Sequence, residues 1–250
     1  MYPSETGTNY IWMDDLAVGD PIQVDDYNWQ IKLREGATWQ NGDPINADTW
    51  IFTFQQQLNP KLQMRMATFL YDNSVTIVNG ENYLMQGTEG YPATVAWEEV
   101  GIKKIDDYTF QCTYSTPVNS VESAMRCVNR AIINKTVFEA GAMGDGTSNY
   151  GSNIETAPAC GRFILTEWIP DSQFTYKKNQ DYIHADMIWF AGMEIRIVPD
   201  ANTALELFLN GSSKLFDGRK RIFLSQRGER EQREHRSQQG EKRRTSHKKS

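Results

Sequence analysis

Trp29-Gln30-Ile31-Lys32-Leu33-Arg34-Glu35-Gly36-Ala37-Thr38-Trp39-Gln40-Asn41-Gly42-Asp43-Pro44-Ile45-Asn46-Ala47-Asp48 carries four structural signals in unbroken succession. Trp29, Ile31 and Leu33 alternate with polar residues, the period of a half-buried strand. Gly36 breaks that strand, and Ala37 to Gln40 forms a short second extended piece. Asn41-Gly42-Asp43 supplies residues that tolerate positive φ, as a tight turn needs. Asn46 is placed to cap a helix and Asp48 falls in its first turn, where the helix dipole favours negative charge. Ala47, Trp50/Ile51, Phe54 and Leu58 then recur at helical spacing until Asn59-Pro60 stops the helix. Strand, turn and helix in this order predict a mixed α and β fold.

Working outward, Met64 to Glu99 reads as a short helix followed by loop and strand fragments. Gly101 to Tyr114 reads as a β-hairpin turning at Asp106-Asp107, with Tyr108, Phe110, Cys112 and Tyr114 on its inward phase. After Thr116-Pro117, the spacing of Val121, Ala124/Met125 and Val128 predicts a helix over 119–132. A loop rich in Gly, Ser and Asn follows, from Gly141 to Asn153. Residues 162–168 and 173–177 form a second predicted hairpin around Pro170-Asp171-Ser172. Met193 to Val198 reads as a strand, and Pro199 to Asn210 as a short amphipathic helix with Gly211 just past its end.

Charge is unevenly spread along the 250 residues. Residues 1–218 hold 14 basic and 28 acidic side chains, whereas residues 219–250 hold 12 and 4, so the net charge of −6 is a cancellation. With 39% hydrophobic residues the body can build a core, but after Leu224 there is no Val, Ile, Leu, Met, Phe, Trp or Tyr. Residues 219–250 therefore read as a basic disordered tail, and the abrupt shift suggests translation out of frame or past a junction. The tail lacks aromatics for base stacking and hangs from an acidic body, which argues against nucleic acid as a partner. No apolar run approaches the ~18 residues of a membrane span, which excludes an integral membrane protein. Nothing at MYPSETGTNY reads as a signal peptide, so any export signal is expected outside the chain as given.

Residues that could carry chemistry are few. Gly141-Ala142-Met143-Gly144-Asp145-Gly146 lacks the Lys-Ser/Thr ending of a phosphate loop and reads as a surface loop. Asp14-Asp15, Asp25-Asp26, Glu98-Glu99 and Asp106-Asp107 are adjacent pairs whose side chains diverge, so they are expected to be solvated turn residues rather than acid–base pairs. His184, the one histidine of the body, is expected in an exposed loop, and no GxSxG elbow accompanies it. Trp29, Trp39 and Trp50 fall on core-facing phases, although such rings could also line a ligand cleft. Cys112 is expected to be buried; its pairing with Cys127 or Cys160 stays open. No catalytic residue, metal site or cofactor is assigned, and the ligand-binding residues are unknown.

The stretch from Trp29 to Asp48 resembles a signature of the family 5 extracellular solute-binding proteins, the oligopeptide- and dipeptide-binding components of ABC importers. The Gly101–Tyr114 hairpin, Gly161-Arg162-Phe163-Ile164-Leu165 with Trp168, Lys178-Asn179-Gln180-Asp181-Tyr182 and the strand and helix from Met193 to Gly211 follow in the family's order, so the resemblance covers about residues 20–211. From Ser212 onward the chain departs from the pattern.

The resemblance implies a partial periplasmic binding protein-like fold of the cluster II type. Residues 1–158 would be most of the inserted smaller domain and residues 159–218 a returning segment of the first lobe. It implies peptide uptake as the function, an oligopeptide or other small solute and importer permease subunits as partners, and an extracytoplasmic location with any membrane attachment through a lipid anchor that this chain lacks. It also implies a fragment without most of the ligand cleft. The competing reading is a non-enzymatic interaction protein presenting a basic tail.

Overall fold

Asn46 Oδ1 accepts from the Thr49 N–H and Thr49 Oγ1 accepts from the Asn46 N–H, both at 3.3 Å, closing a capping box at the start of α1 (Ala47–Gln57). Just upstream, Gly42 takes φ +87° in the turn closed by Trp39 N–H to Asp43 O at 2.9 Å, a conformation that costs glycine nothing. The computed structural model describes residues 13–72, 75–128 and 131–210, with the backbone of short strands at 2–3, 10–11, 216–217 and 222–225. The chain divides into two units, Met1–Tyr150 and Gly151–Ser250.

In the first unit, β1 (Tyr2–Pro3) pairs with β2 (Tyr10–Ile11). The main sheet is antiparallel, in the order β3 (Ile22–Gln23), β4 (Asn28–Lys32), β8 (Thr109–Thr113) and β7 (Ile102–Asp106). A further two-residue ladder joins β5 (Tyr71–Asp72) to β6 (Val75–Thr76), after a 3-10 turn at Arg65–Leu70. Three more helices are α2 (Gly80–Met85), α3 (Ser120–Cys127) and α4 (Lys135–Ala140).

The register opposes Trp29 to Cys112 and Ile31 to Phe110, placing four apolar side chains on one face. Trp50 and Phe54 of α1 cover that face, with ring centroids 6.0 and 5.9 Å from Phe110. Trp29, Trp39 and Trp50 are all buried, as their phases predict. β8 is one of the two inner strands and is buried on both faces. On the opposite side Gln30 Nε2 donates to Gln111 Oε1 at 3.2 Å, Gln111 Nε2 to Asn28 Oδ1 at 2.8 Å and Thr113 Oγ1 to the same oxygen at 2.7 Å. That row satisfies amides which burial would otherwise penalise.

One helical expectation needs correction, and one helix was not expected. The helix predicted over 119–132 ends at Cys127, and its Val121 and Met125 are exposed whereas Ser123 and Cys127 are buried. A disulfide between Cys112 of β8 and Cys127 turns the helix so that this narrower face meets the sheet. α4 is a helix that periodicity did not predict; Asn134 caps it by accepting from the Val137 N–H at 2.9 Å.

In the second unit the hairpin of β9 (Phe163–Ile169) and β10 (Gln173–Lys178) joins an antiparallel sheet in the order β12 (Phe216–Asp217), β13 (Ile222–Ser225), β11 (Gly192–Ile197), β10, β9. Asp200 accepts from the Thr203 N–H at 2.8 Å to start α5 (Ala201–Leu209). Only Ala204 of that helix is buried, while Leu205, Phe208 and Leu209 are exposed. Helical periodicity showed that an apolar stripe exists, not that it is covered. β13, Ile222–Ser225, falls within residues 219–250 and pairs with β11. Gly211, and the tail beyond Ser225, lie outside the described residues.

Candidate functional site

The acidic pairs are turn formers. Asp25 Oδ1 accepts from the Tyr27 and Asn28 N–H groups at 2.8 Å, bonds that hold its carboxyl below the usual range. Asp14 accepts from Gly19 N–H and Asp106 from Tyr108 N–H. Lys104 Nζ lies 2.8 Å from both Asp48 and Asp107, an exposed arrangement of little energetic weight. Glu98 and Glu99 sit in a one-turn 3-10 helix. In the Gly141–Gly146 stretch, Asp145 Oδ1 accepts from the Thr147 hydroxyl and N–H, which folds the loop back on itself. His184 is half-buried rather than exposed, its ring edge-on to Tyr182 at 5.8 Å. Among the described residues no group of three or more His, Cys, Asp or Glu is placed to hold a metal, and no helix is long and apolar enough to cross a membrane.

A polar node does link distant parts of the first unit. Asn134 is 1% exposed; its Nδ2 donates to Asp43 Oδ2 at 3.0 Å, its N–H to Tyr150 Oη at 3.1 Å, and its Oδ1 caps α4. Asn134 and then Asn41 hold the Asp43 carboxyl below its ordinary value. A depressed carboxylate contributes stability above its unfolded pKa of about 3.9 and loses it as pH falls through the lower folded value. Asp43→Asn should therefore melt below the parent at pH 7, with the gap closing below about pH 4. Thermal melts from pH 7 to 3 test this, and a gap constant with pH would remove the charge from the account.

The second unit holds an open concavity of about 580 Å³, lined by Ser152, Asn153, Ile154, Glu155, Trp168 and Pro170. One wall is a self-braced turn. Gly151, at φ +75°, donates to Thr156 O at 2.7 Å, and Asn153 and Thr156 exchange bonds through Asn153 Oδ1 and Thr156 Oγ1. Hairpin β9–β10 makes the other wall. Trp168 stands opposite Phe174 with ring centroids 5.4 Å apart, and the three-residue turn at 170–172 is sharpened by Asp171 at φ +56°. By sequence, Trp168 belongs to a family motif and residues 151–153 to a polar loop, and no pattern connects them. Nothing in either stretch alone signals a concavity.

Residues 14–246 match the family model described as "Bacterial extracellular solute-binding proteins, family 5 Middle". The chain belongs to this family. The family 5 match runs past Gly211 and through most of the basic segment, beyond the 20–211 expected from motifs. Dipeptide-binding protein DppE of Bacillus subtilis is 25% identical over 191 residues, which cover 76% of this chain and 32% of DppE. The periplasmic oligopeptide-binding protein OppA of Salmonella typhimurium is 25% identical over 154 residues, 62% of this chain and 26% of that protein. Among solved structures, Listeria monocytogenes OppA bound to peptide superposes with a TM-score of 0.66 at 25% identity, over 84% of this chain and 38% of that one. The periplasmic binding protein-like fold is thus established. The chain spans about a third of the length of the curated family 5 relatives it matches.

Proposed function

We propose that this chain is part of the peptide-capturing component of an ABC importer and acts outside the cytoplasmic membrane. The family match over residues 14–246, with relatives named as dipeptide- and oligopeptide-binding proteins, carries the reading. In it, residues 1–158 form most of the inserted smaller domain and 159–218 return to the first lobe. The Cys112–Cys127 disulfide, with both residues fully buried, supports an oxidising compartment. Extended peptides are captured through strand-like backbone hydrogen bonds with pockets for alternate side chains, a mode that requires the ligand to be enclosed. A third of a receptor's length supplies part of such an enclosure.

The consequence is quantitative. Equilibrium dialysis of the whole chain against di- to pentapeptides should give Kd values no tighter than about 1 mM, near −4 kcal/mol. Micromolar binding would show that these residues enclose the ligand unaided and overturn the reading as part of a receptor. Preference for a free sugar over every peptide would overturn the peptide assignment itself.

A further inference from the structure

We propose that the concavity between the 151–156 turn and the β9–β10 hairpin is a binding site for a small ligand bearing a guanidinium group. Its volume is about 580 Å³ and it is open to solvent, enough room for a small ligand to seat on its walls. Its lining pairs an aromatic and aliphatic wall, Trp168, Pro170 and Ile154, with one ionisable group, Glu155. None of the six lining residues is basic. The Ser152 hydroxyl and the Asn153 side chain add neutral polar atoms, so among the described residues the only charge the lining presents is negative.

That combination selects a cation. An indole face attracts a cation through its quadrupole, and a planar guanidinium also stacks on it as an ammonium does not. A carboxylate lining the same concavity, Glu155, can take the guanidinium edge in a two-bond fork. Both walls are formed before any ligand arrives. Phe174 holds the Trp168 ring from the neighbouring strand, and the Gly151–Thr156 and Asn153–Thr156 bonds fix the turn that carries Glu155. Binding therefore costs little reordering of the backbone. The site lies wholly in the second unit and does not depend on enclosure of an extended peptide.

Indole N–H resonances of the full chain, with Trp168 assigned by its disappearance in Trp168→Phe, give the test. Titration with arginine amide should move the Trp168 signal saturably. Citrulline amide, the same shape and α-ammonium without the guanidinium charge, should bind about tenfold more weakly, and Glu155→Gln should weaken arginine amide by a similar factor. Glu155 sits on an exposed turn, so this variant keeps the fold, and an unchanged indole spectrum in the absence of ligand verifies that. Absence of a saturable shift with arginine amide would overturn the proposal. So would equal binding of citrulline amide, or binding unaffected by Glu155→Gln.

Discussion

Phe110→Ala should destabilise the first unit by about 3–5 kcal/mol. The ring is fully buried at the centre of β8, stacked on Trp50, tilted against Phe54 and opposite Ile31 across the ladder. Removing it leaves a void bounded by two aromatic side chains of α1 and a sheet that has no room to collapse, so lost transfer energy and a cavity add together. At roughly 2–4 °C per kcal/mol for a unit of this size, the melting midpoint should fall by about 6–20 °C. Met125→Ala gives the contrast. Its periodicity resembles that of a core residue, yet 53% of it is exposed, so the cost should stay within about 0.5 kcal/mol. Urea titrations of both variants with unchanged slope would establish the difference, whereas comparable losses would place Met125 in the core alongside Phe110.

Severing Cys112–Cys127 should cost about 3 kcal/mol, within a range of about 2–5. The bond closes a loop of 15 residues, and opening it releases denatured-chain entropy of that order. It also frees α3 from β8, although Tyr114 Oη still reaches Ser123 Oγ at 3.1 Å. Cys112→Ala/Cys127→Ala should melt well below the parent and become indifferent to reductant. Cys160→Ser should retain the parent's full response to reductant. A parent chain whose melting is the same with and without dithiothreitol would contradict the pairing.

The elements legible in the sequence were those whose signals are local. Asn46 and Thr49 cap α1 across three residues, Gly42 turns within one, and the two hairpins declare themselves by alternation. What escaped was set by partners far along the chain. α3 shows an apolar stripe through Val121 and Met125, but a covalent bond to β8 selects the face carrying Ser123 and Cys127. α4 has six residues, too few for a periodic pattern, and its cue was the Asn134 cap. Ile222 to Leu224 form the last apolar run before a polar composition, and the composition of the whole segment outweighed three residues that complete a sheet. The site was the least legible, because a concavity arises from two segments whose separate readings are a polar loop and an ordinary hairpin. Family resemblance supplied what periodicity could not, and it did so through the motif at 29–48.

The inner position of β8 has a consequence for the chain while it is being made. Gln30 and its partner Gln111 are 81 residues apart, so at roughly 5–20 residues per second the ribosome releases β4 about 4–16 s before β8 exists. During that interval Trp29 and Ile31, and with them Trp50 and Phe54 of α1, have no sheet to cover them. The interval between emergence of Trp29 and emergence of Phe110 is therefore the window in which chaperone capture or aggregation competes with folding.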